Sequence, residues 1–257
     1  MFYAAHGRMF PWRRTKDPYR IFVSEVMLQQ TQTDRVVPKY KAFIEAFPSW
    51  RALARASSAE VMSMWKGLGY YRRAFNLHRA AKEVATQWRG RLPEDLQAIR
   101  SLPGVGSYTA GAVAAFAFGM ATPIIETNIR SVYLYTFFPR RKDVPDSDIF
   151  PLIEQTLDRT DPRTWYYALM DLGSGLKKSA KGLNERSRHH VKQSAYHGSN
   201  RQVRALVLKA LTEGSPRSER QLASELNVSV ERIEVAASGL LKEGLLRASP
   251  RRLLSLA

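Results

Sequence analysis

Two glutamates stand out for where the sequence puts them. Glu25 lies in SEVMLQQTQ, residues 24 to 32, with Ile21 four positions before it and Leu28 three after it. On a helix its carboxyl therefore lies along an apolar stripe. Loss of water disfavours the charged form and raises the pKa, which is how a general acid is prepared for work near neutral pH. A Glu at the boundary of such a stripe can instead swing out to solvent or pair with Arg20. Glu126 has the opposite surroundings. It stands just before Thr127-Asn128, which read as the cap of the helix carrying Ile129-Arg130-Ser131-Val132, and a positive helix end favours the ionised form. One carboxyl pushed up and one pushed down is the arrangement in which one group protonates a leaving base while the other faces a developing sugar oxocarbenium ion. Without a fold to join them, Glu126 is equally an ordinary acid at a helix start.

A second chemistry is suggested by turns. Pro103-Gly104-Val105-Gly106 joins two helical segments, and its glycines let a ligand approach the N–H groups at the start of the second. A phosphate suits that position, with Gly104, Val105, Gly106, Ser107 and Thr109 as its contacts and the Ser107 hydroxyl as a helix cap. The plainer alternative is an αα-corner with glycines for close packing, which Ala110-Gly111-Ala112 also suggests. Tyr70 and Tyr71 follow the tight Gly67-Leu68-Gly69 turn and precede Arg72-Arg73. One tyrosine is suited to wedge into a base stack beside a phosphate clamp at Arg72-Arg73, and the other to core packing. Gln29 and Gln30 are suited to fill the gap left by a flipped nucleotide, although surface glutamines are common. His189, His190 and His197 lie among basic neighbours with no cysteine nearby, so no metal is expected there.

The elements that must position these groups are helical. Apolar spacing predicts helices over 21–32, 73–88, 94–100, 107–118, 128–138, 147–158 and 163–176, and Ser57 with Glu60 forms a capping box before Val61–Trp65. Residues 176–199 are polar and basic and mark a boundary, giving a first domain over 1–199 and a second over 200–257. In the second, Val203–Leu211 is a helix, Ser218 and Gln221 box the start of the next, Asn227-Val228-Ser229 turns the chain, and Val230–Lys242 is a longer helix. Gly244–Leu246 and Leu253–Leu256 complete a winged-helix pattern as two strands, and a module of this kind serves DNA or protein contacts equally well.

Composition narrows the partner. The 257-residue chain carries 40 Lys and Arg against 23 Asp and Glu, for a net charge of +17 spread along its length. That balance calls for a polyanion, and nucleic acid fits better than acidic lipid because no run of 18 apolar residues and no signal-peptide pattern is present. A cytoplasmic, DNA-associated protein is expected. With no cysteine, disulfides, thiolate zinc sites and Cys-ligated iron–sulfur clusters are excluded.

Taken in order, PWR at 11–13, DPYRIFVSEVMLQQTQT at 17–33, WKGLGYYRRAFNLHRAA at 65–81, LPGVGSYTAGAVAAFAFG at 102–119 and ETN at 126–128 resemble adenine DNA glycosylases of the helix-hairpin-helix superfamily. The resemblance covers roughly three quarters of the chain. It implies an all-α, two-lobed fold with a base pocket in the cleft. It also implies Glu25 as the acid that protonates the target purine, Glu126 in the place of the family's catalytic Asp, and Tyr108 and Asn128 arranging the site. In this family the hairpin commonly holds a monovalent cation through backbone carbonyls. Three departures accompany it: Glu for Asp at 126, no cysteines after WYYALMDLGSG (165–175), and a winged-helix-like segment where the family carries a reader of 8-oxoguanine. The expectation is a cluster-free, monomeric, monofunctional enzyme acting on double-stranded DNA with a mispaired or damaged base, first of all adenine. The alternatives are a glycosylase for thymine, uracil or a modified base, and a non-catalytic DNA-binding protein on the same scaffold.

Overall fold

The computed structural model describes residues 2–180, 182–191 and 195–257. Along the chain run α1 (Phe2–His6), a 3-10 turn at Pro11–Arg14, α2 (Pro18–Leu28), α3 (Thr33–Ala46), α4 (Trp50–Arg55), α5 (Ser58–Met64) and α6 (Arg72–Gln87). They are followed by α7 (Leu96–Ser101), α8 (Ser107–Phe118), α9 (Thr127–Phe137), α10 (Asp146–Thr156) and α11 (Pro162–Ser179). A 3-10 turn at Leu183–Arg186 leads to α12 (Asn200–Thr212), α13 (Glu219–Leu226), α14 (Val230–Lys242) and the strands β1 (Leu246–Ala248) and β2 (Leu254–Leu256). Backbone packing groups these into two units, one of Met1–Glu25 with Leu92–Lys192 and the other of Val26–Arg91 with Gln193–Ala257. Among the described residues no helix is long and apolar enough to cross a membrane.

In the first unit the core is built around α8. Every residue from Thr109 to Phe116 is buried, so this helix has no polar face and is enclosed by protein. Close approach is made possible by glycine. A Cβ on Gly111 would come within 2.4 Å of Ile124 Cγ2, and one on Gly173 of α11 within 2.0 Å of the Asn128 carbonyl oxygen at the start of α9. The far end of α9 is closed by Arg186, whose guanidinium donates to the carbonyls of Phe138, Pro139 and Leu134. The basic stretch 176–199 thus begins as helix and includes an ordered turn. Lys181 and residues 192–194 of that stretch lie outside the described residues.

In the second unit both expected capping boxes form, Ser57 with Glu60 and Ser218 with Gln221. Asn227, at φ 51°, ends α13 in the left-handed region that Asn tolerates. β1 and β2 pair antiparallel with Leu246 opposite Leu256 and Ala248 opposite Leu254, so the first strand starts later than the expected Gly244. The end of the chain is therefore winged-helix-like: three helices and a two-stranded wing. Besides the short helices α1 and α4, which are not among those expected, two further helices depart from expectation. α2 stops at Leu28 rather than continuing to Gln32, and Gln30 turns the chain at φ 54°. α3 forms although Pro38 interrupts its sequence pattern, because Val36, Tyr40 and Phe43 still bury one face.

Candidate active site

The two glutamates belong to the same unit and meet there electrostatically. Glu25 is 5% exposed on α2, and the Tyr108 hydroxyl of α8 donates to its Oε2 at 3.1 Å. Burial pushes the Glu25 pKa up to about 7; the Tyr108 hydrogen bond opposes this, the Glu126 charge adds to it, and Arg13 opposes it. Arg20 lies 4.0 Å from Asp17 instead, and burial closes off the solvent-facing alternative for Glu25. The Tyr108 phenol is driven well above its ordinary value, first by burial and then by the charges of Glu25 and Glu126, so it remains a neutral donor.

Glu126 corrects two expectations. It is itself the cap of α9, rather than Thr127-Asn128: its Oε1 accepts from the backbone N–H groups of Asn128 and Ile129, both at 2.8 Å, and its Oε2 from Asn128 Nδ2 at 3.1 Å. Its pKa nevertheless moves up, not down. Loss of water outweighs the two backbone hydrogen bonds and the charges of Lys177 and Arg130. The side chain of Asn128 thus positions the carboxylate while its backbone supports it. Both carboxyls are raised, Glu25 to about 7, and for each the loss of water is the largest cause.

A buried ion network flanks this pair, and its members were not singled out by sequence. Arg13 donates through Nη1 and Nη2 to Asp171 at 2.7 and 2.9 Å, while Arg8 adds its Nε at 2.7 Å and its backbone N–H at 2.8 Å. Arg13 also lies 4.4 Å from the centre of the Tyr167 ring. Burial raises the Asp171 carboxyl, but the hydrogen bonds and charges of Arg13 and Arg8 together hold it below the ordinary Asp value. The signal was available: Asp171 is four residues after buried Tyr167 on α11, hence on its inward face. Lys177 lies one helical turn beyond Gly173 on α11, on the face that meets the start of α9. It is half-buried near Glu126, and burial lowers its pKa while the Glu126 charge raises it.

The glycine turn joins α7 to α8. Gly104 sits at φ 75°, and Gly104, Gly106 and Ser107 are exposed. Gly106 is the helix cap and has no side chain to offer, so the expected Ser107 hydroxyl cap is not formed; Ser107 is the first helical residue. A Cβ on Gly106 would meet nothing within 4 Å, so the chain's own packing does not demand a glycine there, and the space suits an approaching ligand. The Thr109 side chain is buried.

In the second unit Arg72 is exposed but Arg73 is turned inward. Arg73 donates to the carbonyls of Val26, Met27, Gln29, Leu68 and Gly69 and to Thr31 Oγ1, tying the 29–31 turn to the 67–70 turn. Burial lowers its pKa to about 10, which leaves it charged at neutral pH. Gln29, Gln30, Tyr70 and Arg72 line a cavity of about 250 Å³ beside it. Tyr71 is buried, whereas Tyr70 is exposed at φ 48°. Of the two tyrosines, Tyr70 is therefore the one placed to touch a partner.

Iron–sulfur ligation does not fit this chain, which has no thiolate to offer. Among the described residues no cluster of His, Asp and Glu is arranged to hold a metal ion.

Residues 23–149 match the family model described as HhH-GPD superfamily base excision DNA repair protein. The chain is 39% identical over 170 residues to an adenine DNA glycosylase of Mycolicibacterium smegmatis, covering 65% of this chain and 58% of that one. It is 35% identical over 184 residues to the adenine DNA glycosylase of Homo sapiens, covering 67% of this chain and 34% of that one. The chain thus spans only part of the length of these relatives. Among solved structures, a thermostable thymine-DNA glycosylase matches with a TM-score of 0.60 and 27% identity, over 67% of this chain and 81% of that one. An Endonuclease III–DNA complex, at TM-score 0.57 and 17% identity over 75% of this chain and 83% of that one, shows the shared fold. Over residues 23–149 the chain is thus similar to the HhH-GPD superfamily of base excision DNA repair proteins.

Proposed function

We propose that the protein is a monomeric, monofunctional DNA N-glycosylase that turns a base out of a duplex and hydrolyses its N-glycosidic bond, with mispaired adenine as the first substrate. The observation that carries this reading is the buried Glu25 carboxyl, with a pKa of about 7 and a hydrogen bond from Tyr108, in the same unit as Glu126. A proton held at that value can be given to a purine ring nitrogen as the base departs. Adenine N7 is an acceptor of this kind. Glu126, fixed by three hydrogen bonds, faces the positive charge that grows on the sugar as the bond breaks. Water then completes the hydrolysis. The exposed glycine turn and Arg72 supply phosphate contacts, and Tyr70 enters the base stack. Carbonyls of the 102–106 turn, which contains no carboxylate, suit a monovalent cation that would stiffen it.

The likeness to a thymine-DNA glycosylase favours a second reading, in which the target is a mispaired pyrimidine. Thymine has no counterpart of adenine N7, so a proton donor such as Glu25 fits it less well. Labelled duplexes carrying A, T or U opposite each partner, treated with alkali after incubation, separate the readings. Strand breakage at adenine is expected; breakage only at pyrimidines would select the second reading, and none at all would leave a glycosylase for a modified base or a DNA-binding protein.

Two variants and one trap refine the chemistry. Glu126→Gln should reduce single-turnover base release by about a hundredfold or more, because the stabilising charge is lost. Glu126→Asp should retain more activity than Glu126→Gln, since Asp keeps the charge and is a favoured helix cap. Equal losses would show that charge at 126 is unimportant. Borohydride should trap little covalent adduct, because the hairpin position two residues after Gly106, where related bifunctional enzymes carry a nucleophilic lysine, holds Tyr108, whose phenol cannot form a Schiff base. Adduct at a level matching base release would overturn the monofunctional assignment.

A further inference from the structure

We propose that Arg201, on the first helix of the winged-helix-like segment, is a positioning residue for Tyr70, so that this segment sets the wedge instead of only adding positive charge. The inference rests on the reading of Tyr70 as the residue that enters the base stack.

The Tyr70 ring is held at both ends. Its backbone is in the left-handed region at φ 48°, an uncommon place for an aromatic residue, and the turn beneath it is fixed by Arg73 and by Trp65 Nε1 donating to the Gly69 carbonyl at 3.1 Å. The Arg73 guanidinium lies 5.6 Å from the ring centre. At the other end Arg201 Nη1 donates to the phenol oxygen at 2.9 Å. Arg201 sits on a helix that is itself braced. Arg204 pairs with Glu243, just past the end of α14, at 2.6 Å, and Glu213 near the other end of α12 pairs with Lys66 at 2.6 Å, just before the tyrosine turn. Between these braces Tyr70, Tyr71, Tyr196, Arg201, Arg204 and Leu208 line a largely apolar cavity of about 340 Å³. The hydroxyl thus meets the donor at a fixed point, and the exposed ring is ordered before DNA arrives. Ordering a side chain in advance removes part of the cost of binding, worth about three- to tenfold in affinity.

A double-mutant cycle on the full chain tests this. The variants are Arg201→Met, Tyr70→Phe and both together, with Tyr70→Ala as a check on the wedge itself. Each is titrated with a duplex bearing a tetrahydrofuran abasic site and a 2-aminopurine at the adjoining step, reading affinity and the fluorescence rise from unstacking. Thermal unfolding shows that each variant folds. Arg201→Met should weaken binding about three- to tenfold and reduce the fluorescence change, with little further effect in the Tyr70→Phe background. Equal losses in both backgrounds, with a salt slope smaller by about one, would make Arg201 a simple phosphate contact and overturn the inference. If Tyr70→Ala leaves affinity and fluorescence unchanged, the wedge reading itself fails.

Discussion

Glu25→Gln should remove base release by about a thousandfold while leaving duplex binding nearly unchanged, because the substitution deletes a transferable proton and keeps the shape. The same change should make the protein more stable at alkaline pH. The Glu25 carboxyl titrates near 7 in the folded chain against 4.5 for its ordinary value. A raised pKa means that its contribution to stability is full below 4.5 and is lost as pH rises through about 7. At pH 8 the loss is about 3 kcal/mol. Gln stays neutral throughout, so the variant should unfold at a higher temperature than the parent at pH 8 and at a similar one at pH 4. Excision by the parent should fall as pH rises above about 7, where the acid has given up its proton. Thermal unfolding and single-turnover rates across pH check both parts. Lost activity with no alkaline gain in stability would show that Glu25 is not desolvated as the structure describes.

Gly173→Ala should be the most damaging single methyl in the first unit. The added Cβ would lie 2.0 Å from the Asn128 oxygen, 2.6 Å from its carbonyl carbon and 3.0 Å from its Cα, all backbone atoms that cannot swing aside. The start of α9 must therefore move, and Glu126 moves with it. A loss of about 1–3 kcal/mol in stability is expected from overpacking. A misplacement near 1 Å at the reacting groups costs about a hundredfold in rate. Gly175→Ala on the same helix is the control, since nothing lies within 4 Å of its Cβ. It should be neutral or stabilising by up to about 1 kcal/mol. If the two variants behave alike, the close approach of α9 and α11 is wrong.

The sequence showed α8 to its end residues and both capping boxes, because each rests on a local pattern that packing did not override. It also showed that Glu25 belongs to an apolar stripe. It did not show that Glu126 is half-buried, and the water lost there decided the sign of its shift against the helix end. Local spacing cannot measure the water removed by elements far along the chain. Arg73 is a different case. It precedes Leu77, Ala80 and Val84 on the buried face of α6, whereas Arg72 falls off that face, so the pattern could have separated the two arginines. α3 was hidden by Pro38, whose helix-breaking tendency is overcome by three buried neighbours.

The Arg8–Asp171 pair spans 163 positions of sequence. Its consequence belongs to synthesis: the first unit cannot close while the ribosome holds the chain short of α11. Until then Arg13 lacks its carboxylate partner, and the opening segment Met1–Glu25 must wait for Leu92–Lys192 to emerge. Contacts so distant in sequence slow folding, since loop closure precedes the gain from packing. The acid at position 25 therefore acquires its working proton affinity late, after most of the chain has been made.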